Sequence, residues 1–162
     1  MADRARFEAF FREHFARATR ACTLVVLDPT LAEEVAAEAF TRLWSRWGQI
    51  ESEDHAAGYV FKTAMRVAWR QARARKREHV GPVPEISGPD EIRRSLDRRA
   101  VFEALSRLPI RERQAVTLRD WAGFETRHVA SMLGINESTV RVHLARGRVA
   151  LRRSLSVEEK EP

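Results

Sequence analysis

Three residues near the carboxyl end restrict the fold more than any others in the chain: Ala130, Gly134 and Val140. A small residue, a glycine four positions on and an apolar residue six beyond that are the steric minimum for two helices that meet steeply through a short turn. Gly134 is the residue able to take positive φ between them, and Asn136 is placed to cap the second helix. Thr126 is expected to cap the first helix, whose buried side should be Val129, Met132 and Leu133, with Ala130 small enough for a close crossing. On the second helix Val140, Leu144 and Leu151 turn inward. Opposite them lie Ser138, Arg141, Ala145, Arg148 and Arg152, flanked by Thr139, His143 and Arg146. Such a helix reaches base edges in the major groove with its first residues and phosphates with its later arginines. A hairpin that served only packing would not need Arg141, Arg146, Arg148, Arg152 and Arg153. Upstream, Leu108-Pro109 opens another helix at a proline, and Trp121-Ala122-Gly123-Phe124 breaks it.

The rest of the chain reads as helix too, with no alternating strand pattern and no internal repeat, so the expected fold is all-α. Its 162 residues suit one ordinary domain or two small ones, and a domain of about 60 residues buries only a marginal core. Two such units should lean on partners. Net charge is +6 and the isoelectric point about 10.6, so a polyanion is a favoured partner. The Gly- and Pro-rich run from His79 to Pro89 stops any helix from crossing it. The expected organisation is therefore two small helical domains, residues 5–78 and 98–155, joined by a flexible linker over 79–97. No secretory signal follows the charged start, and the longest apolar run, Leu24 to Leu27, is too short to span a bilayer, so no membrane insertion is expected. Cys22 is the single cysteine, which excludes an internal disulfide and suits the cytoplasm.

In the first block, Phe7, Phe10, Phe11, His14 and Phe15 recur at helical spacing, and Asp28-Pro29 ends a helix that follows. Thr30-Leu31-Ala32-Glu33 reads as a capping box for the next helix, with Thr30 as the cap. That helix carries Leu31, Val35, Ala39, Phe40, Leu43 and Trp47 on one face and Glu34, Glu38 and Arg42 at steps of four on another. By spacing alone this charged row is a solvated face tied by local pairs. A third helix, from about Ala56 to Arg77, begins apolar and aromatic with Tyr59, Phe61, Met65 and Trp69. It ends in Arg66, Arg70, Arg73, Arg75, Lys76 and Arg77, more cations than a helix carboxyl end needs. Rings for stacking beside cations for phosphate suit unpaired bases.

Taken in order, Ala32 to Phe40, Leu108-Pro109 through Arg113, Val129 to Ile135 and Ser138 to Arg141 resemble the sigma factors of bacterial RNA polymerase. In particular they resemble the small extracytoplasmic-function (ECF) group of the sigma-70 family, which retains only regions 2 and 4. The resemblance implies that the first domain is region 2, with Glu33, Glu34, Glu38 and Arg42 on the helix that meets the largest subunit of core RNA polymerase. It implies that the loop from Trp47 to Asp54 and the helix bearing Tyr59, Lys62, Arg66, Trp69, Arg70 and Arg73 melt the promoter minus-10 element and hold its non-template strand. It implies further that Glu137, Ser138, Thr139, Arg141, His143, Arg146 and Arg148 read the minus-35 element. The resemblance also implies control by an anti-sigma factor that covers the polymerase and DNA faces. Relative to the family pattern, Ala37 stands where Gln is common, Arg66 and Arg70 near the usual Asn and Asp, Ser138 at a common Gly and His143 at a common Arg.

A sigma factor, with core RNA polymerase and promoter DNA as partners, is the reading these features favour. A free-standing helix-turn-helix regulator is the alternative, and it would not need the acidic helix together with the aromatic-basic one. An enzyme has little support: His14 and Cys22 stand without a carboxylate pair or a glycine-rich phosphate loop. His55, His79, His128 and His143 lack metal-ligand spacing, so neither a cofactor nor a metal is expected.

Overall fold

A computed structural model describes residues 1–75 and 89–158. Among these the chain forms seven α-helices and two short irregular turns. α1 runs Ala2–Val26, α2 Pro29–Ser45, α3 Glu53–Ala74, α4 Pro89–Ser106, α5 Ile110–Val116, α6 Thr126–Leu133 and α7 Glu137–Glu158. A 3-10 turn, Trp47–Gln49, links α2 to α3, and a wide π turn, Thr117–Trp121, extends α5.

The first three helices pack mutually, with Phe10, Phe40, Leu43 and Trp47 in their centre and the rings of Phe7, Phe11 and Phe15 layered beside them. α1 is one uninterrupted helix where two were expected. The stretch between Phe15 and Val26 holds no Gly or Pro, and the Thr19 and Thr23 hydroxyls bond back to the carbonyls four residues earlier, at 2.9 and 2.8 Å. It stops at Leu27, whose left-handed φ of 60° lets its N–H reach the Thr23 carbonyl at 2.8 Å. α2 is capped by Asp28 rather than Thr30. With Pro29 in its first turn the helix starts earlier than the box motif suggests, and the Asp28 carboxylate accepts from the N–H groups of Thr30 and Leu31. Ser52 caps α3 by accepting from the N–H of His55, at 3.1 Å, which moves the start of that helix from Ala56 back to Glu53.

In the second half the helix-turn-helix forms as its spacing requires. Gly134 sits at φ 66°, Val129 and Val140 are fully buried, and Asn136 accepts from the Thr139 N–H at 2.9 Å. Thr126 is the first residue of α6 instead of its cap, because Glu125 already has the extended backbone of a capping position, and no side chain caps there. α7 crosses α5 closely at Gly147, where an added Cβ would stand 2.8 Å from Val116 Cγ2. Of the expected linker at 79–97, residues 79–88 lie outside the described residues, as do Lys76 and Arg77, while Pro89 onward is helical, with Pro89 itself in a tolerated first-turn position.

The two halves are packed against each other. One core cluster runs from Phe10 through Phe61 and Met65 to Ala115, Leu118, Val129 and Val140. Phe61 meets the edge of Phe124 at 4.8 Å, and Gln114, wholly buried, donates its Nε2 hydrogen to the Met65 carbonyl at 2.8 Å. Arg17 of α1 donates to the carbonyl of Ala122 and lies over the rings of Phe61 and Phe124.

Candidate nucleic-acid interface

The first turns of α7 stand clear of the core. Glu137, Ser138, Arg141 and Arg146 are exposed, and Thr139 and His143 are half-buried above Val140 and Leu144. The Ser138 and Thr139 hydroxyls both donate to Asn136 Oδ1 at 2.7 Å, so their oxygen lone pairs remain for an incoming donor. Arg141 is tethered by Glu137 at 3.1 Å, a loose exposed pair that a base edge could replace. Arg148 differs: its guanidinium makes two bonds to Asp120, 2.8 and 2.6 Å, which fasten α7 to the turn after α5. The pair holds the Asp120 carboxyl below its ordinary range, chiefly through that hydrogen bonding. A phosphate at Arg148 must share the guanidinium with Asp120. Sequence spacing put Arg148 on the exposed face but gave no sign of a partner 28 residues away.

Along α3, Arg66, Arg70 and Arg73 are exposed and Tyr59, Lys62 and Trp69 half-buried, so the cations form an open row beside partly covered rings. The cover on Trp69 comes from both halves. Arg73 lies 4.7 Å from its ring centre and Arg111 of α5 lies 5.0 Å from it. Arg111 also donates to Gln114 Oε1 at 3.1 Å, so the residue that reaches across to α3 steadies the one capping Trp69. Further up the helix, Tyr59 and Lys62 share a cleft with His55, His128, Ser131 and Met132, between the start of α3 and α6.

The loop before α3 is fixed from one side. Trp47 and Ile50 point inward, 3% and 6% exposed, while Gly48, Gln49, Glu51, Ser52 and Asp54 are exposed. Arg6 donates from Nη2 to the Ile50 carbonyl at 3.0 Å and stacks on Trp47 with 4.8 Å to the ring centre. On α2, Glu33, Glu34 and Arg42 are exposed and Glu38, which pairs with Arg42, is half-buried. Trp44, nearly half exposed, borders the same surface beside Phe7.

Cys22 is fully buried and burial pushes its thiol up to about 12, so it is a packing residue without nucleophilic character. Burial also pushes the Arg113 guanidinium down to about 10. Glu13, His14 and Glu53 bring one potential ligand atom each within 4.8 Å of the others, but both carboxylates are exposed to water. None of the described helices is long and apolar enough to cross a membrane.

A buried helix-turn-helix frame carrying an exposed polar and basic first turn defines a DNA-binding protein of the helix-turn-helix class. The sequence pattern of the family described as Sigma-70, region 4 matches residues 98–151, from within α4 through α5 and α6 into α7. The chain is 30% identical to RNA polymerase sigma-E factor of Streptomyces coelicolor, over 92% of this chain and 85% of that one. It is 32% identical to ECF RNA polymerase sigma factor SigL of Mycobacterium tuberculosis, over 95% and 91% of the respective chains. In fold it matches a chain in the co-crystal structure of the sigma factor RpoE with the anti-sigma factor NepR from Bartonella quintana, with a TM-score of 0.73. That match has 18% identity and covers 93% of this chain and 97% of the other. The chain belongs to the ECF RNA polymerase sigma factors.

Proposed function

We propose that this sigma factor grips promoter DNA at two places while bound to core RNA polymerase, and that it acts in the cytoplasm without catalysing a reaction of its own. The observation that supports the DNA assignment is the exposed start of α7 set on a buried frame. In this reading Glu137, Ser138, Thr139 and Arg141 reach toward base edges at the minus-35 element, with His143, Arg146 and Arg148 behind them toward phosphate. The second domain, residues 98–155, serves this contact. The first domain, residues 5–78, takes the minus-10 element. Tyr59 and Trp69 offer rings to unpaired bases, and Lys62, Arg66, Arg70 and Arg73 follow the strand's phosphates. Glu33, Glu34, Glu38 and Arg42 form the face toward core polymerase, where an acidic row suits a basic partner surface. An anti-sigma factor that covers these faces would silence both contacts.

Reconstitution with purified core polymerase tests this. The chain should co-elute with core and support run-off transcription from a limited promoter set. Glu34→Lys combined with Glu38→Lys should abolish co-elution while the variant keeps its helical spectrum. Co-elution equal to the unmodified chain removes α2 from the core interface, and failure of the unmodified chain to bind core or initiate at any promoter of its own genome sinks the whole reading.

A further inference from the structure

α1 carries three arginines near its start that behave differently. Arg4 and Arg12 both pair with Glu8 along the helix, at 2.9 and 3.8 Å, whereas Arg6 turns to a segment 44 residues away. There its Nη2 hydrogen goes to the Ile50 carbonyl and its face covers Trp47. Trp47 is further bedded between Phe7 and Phe10, with ring centres 5.2 and 5.6 Å away, and the Ile50 N–H closes the turn onto the Trp47 carbonyl at 3.1 Å. A guanidinium suits this post because its planar face stacks on an indole while an edge N–H donates to a carbonyl, two tasks that an ammonium does not combine. The result is a short loop anchored on its inner side, with Gly48, Gln49, Glu51 and Ser52 turned outward.

We propose that Arg6 is a positioning residue for this loop, fixing from behind how its outward polar groups meet the unpaired minus-10 strand and so setting base choice there. The proposal rests on the assignment of the Trp47–Asp54 loop to the minus-10 element. Arg6 reads no base. It removes the loop's alternative conformations, so that discrimination is not diluted by a mobile reader.

Two variants, Arg6→Ala and Arg6→Lys, test it with two readouts. In the free protein, hydrogen exchange at the amides of residues 48–52 should speed up in both variants, while exchange within α2 stays unchanged. In holoenzyme reconstituted with core polymerase, transcription from a library randomised across the minus-10 element should show about fivefold or greater loss of base preference in both, with core affinity unaltered. Unaltered base preference in Arg6→Ala overturns the proposal whatever the exchange shows. Full rescue by Arg6→Lys also overturns it, since charge toward a phosphate would then suffice. If the unmodified holoenzyme shows no preference at minus-10, the loop's assignment falls and takes the proposal with it. The exchange measurement still reports separately whether Arg6 holds the loop.

Discussion

Asp120 and Arg148 illustrate how a single side chain can be claimed from two directions. The carboxylate takes both bonds from a guanidinium that the helix spacing offers to DNA. Its folded pKa lies below the ordinary aspartate value of about 3.9. The stability it supplies is therefore complete above that value and is lost as pH falls through the depressed folded one. With 41% and 37% of the two side chains exposed, the contribution belongs in the range of about 0–1 kcal/mol usual for surface pairs. Asp120→Asn should lower stability in urea melts at pH 7, and the gap to the unmodified chain should narrow as the pH is taken below the ordinary aspartate value. A gap that persists unchanged at low pH would show that charge is not what the pair contributes. Residue by residue, the face of α7 was readable because period and charge coincide there. Asp120 was not, because nothing local distinguishes a carboxylate aimed at a later helix from one aimed at water.

At the scale of elements, caps and crossings decide where helices start and how closely they approach. Gly147 marks a close crossing: besides Val116 Cγ2 at 2.8 Å, an added Cβ would lie 3.5 Å from the Glu112 carbonyl. Valine is branched at Cβ and has little rotamer freedom in a helix, so Val116 cannot swing away as a long chain would. Gly147→Ala should destabilise the protein by about 1–3 kcal/mol despite alanine's better helix propensity. Adding Val116→Ala should recover part of that loss, and denaturant melts of the two singles and the double give the coupling. A fully additive double would mean that the clash is relieved elsewhere. The Ala130, Gly134 and Val140 spacing announced one close helix pair, whereas Gly147 looked like any glycine in a basic helix because its neighbour is supplied by α5. Helix starts failed in the same way. Thr30 and Thr126 had the chemistry of caps, yet the backbone had already turned at Asp28 and Glu125.

Across the whole molecule, the all-helical fold was legible and the contact between its two halves was not. Phe61 and Met65 fit the apolar stripe of a helix packed within its own domain, and only the fold shows that this side of α3 faces Phe124 and Gln114. The contact has a measurable signature. A double-mutant cycle of Phe61→Ala and Phe124→Ala should give a coupling of about 0.5–1.5 kcal/mol in urea unfolding, as an aromatic edge contact does. Zero coupling would place the two halves apart in solution. Arg111 on Trp69 carries the same contact to the row of cations, so a base that stacks there must displace a guanidinium. The shared core also bears on the heat of promoter recognition. If the halves separate to reach two DNA sites, the faces of Phe61, Met65 and Phe124 become wet, and newly hydrated apolar surface raises the heat capacity. The temperature dependence of the binding enthalpy should then be less negative than the area buried against DNA and polymerase alone would give, because part of that burial replaces a seam the protein already had.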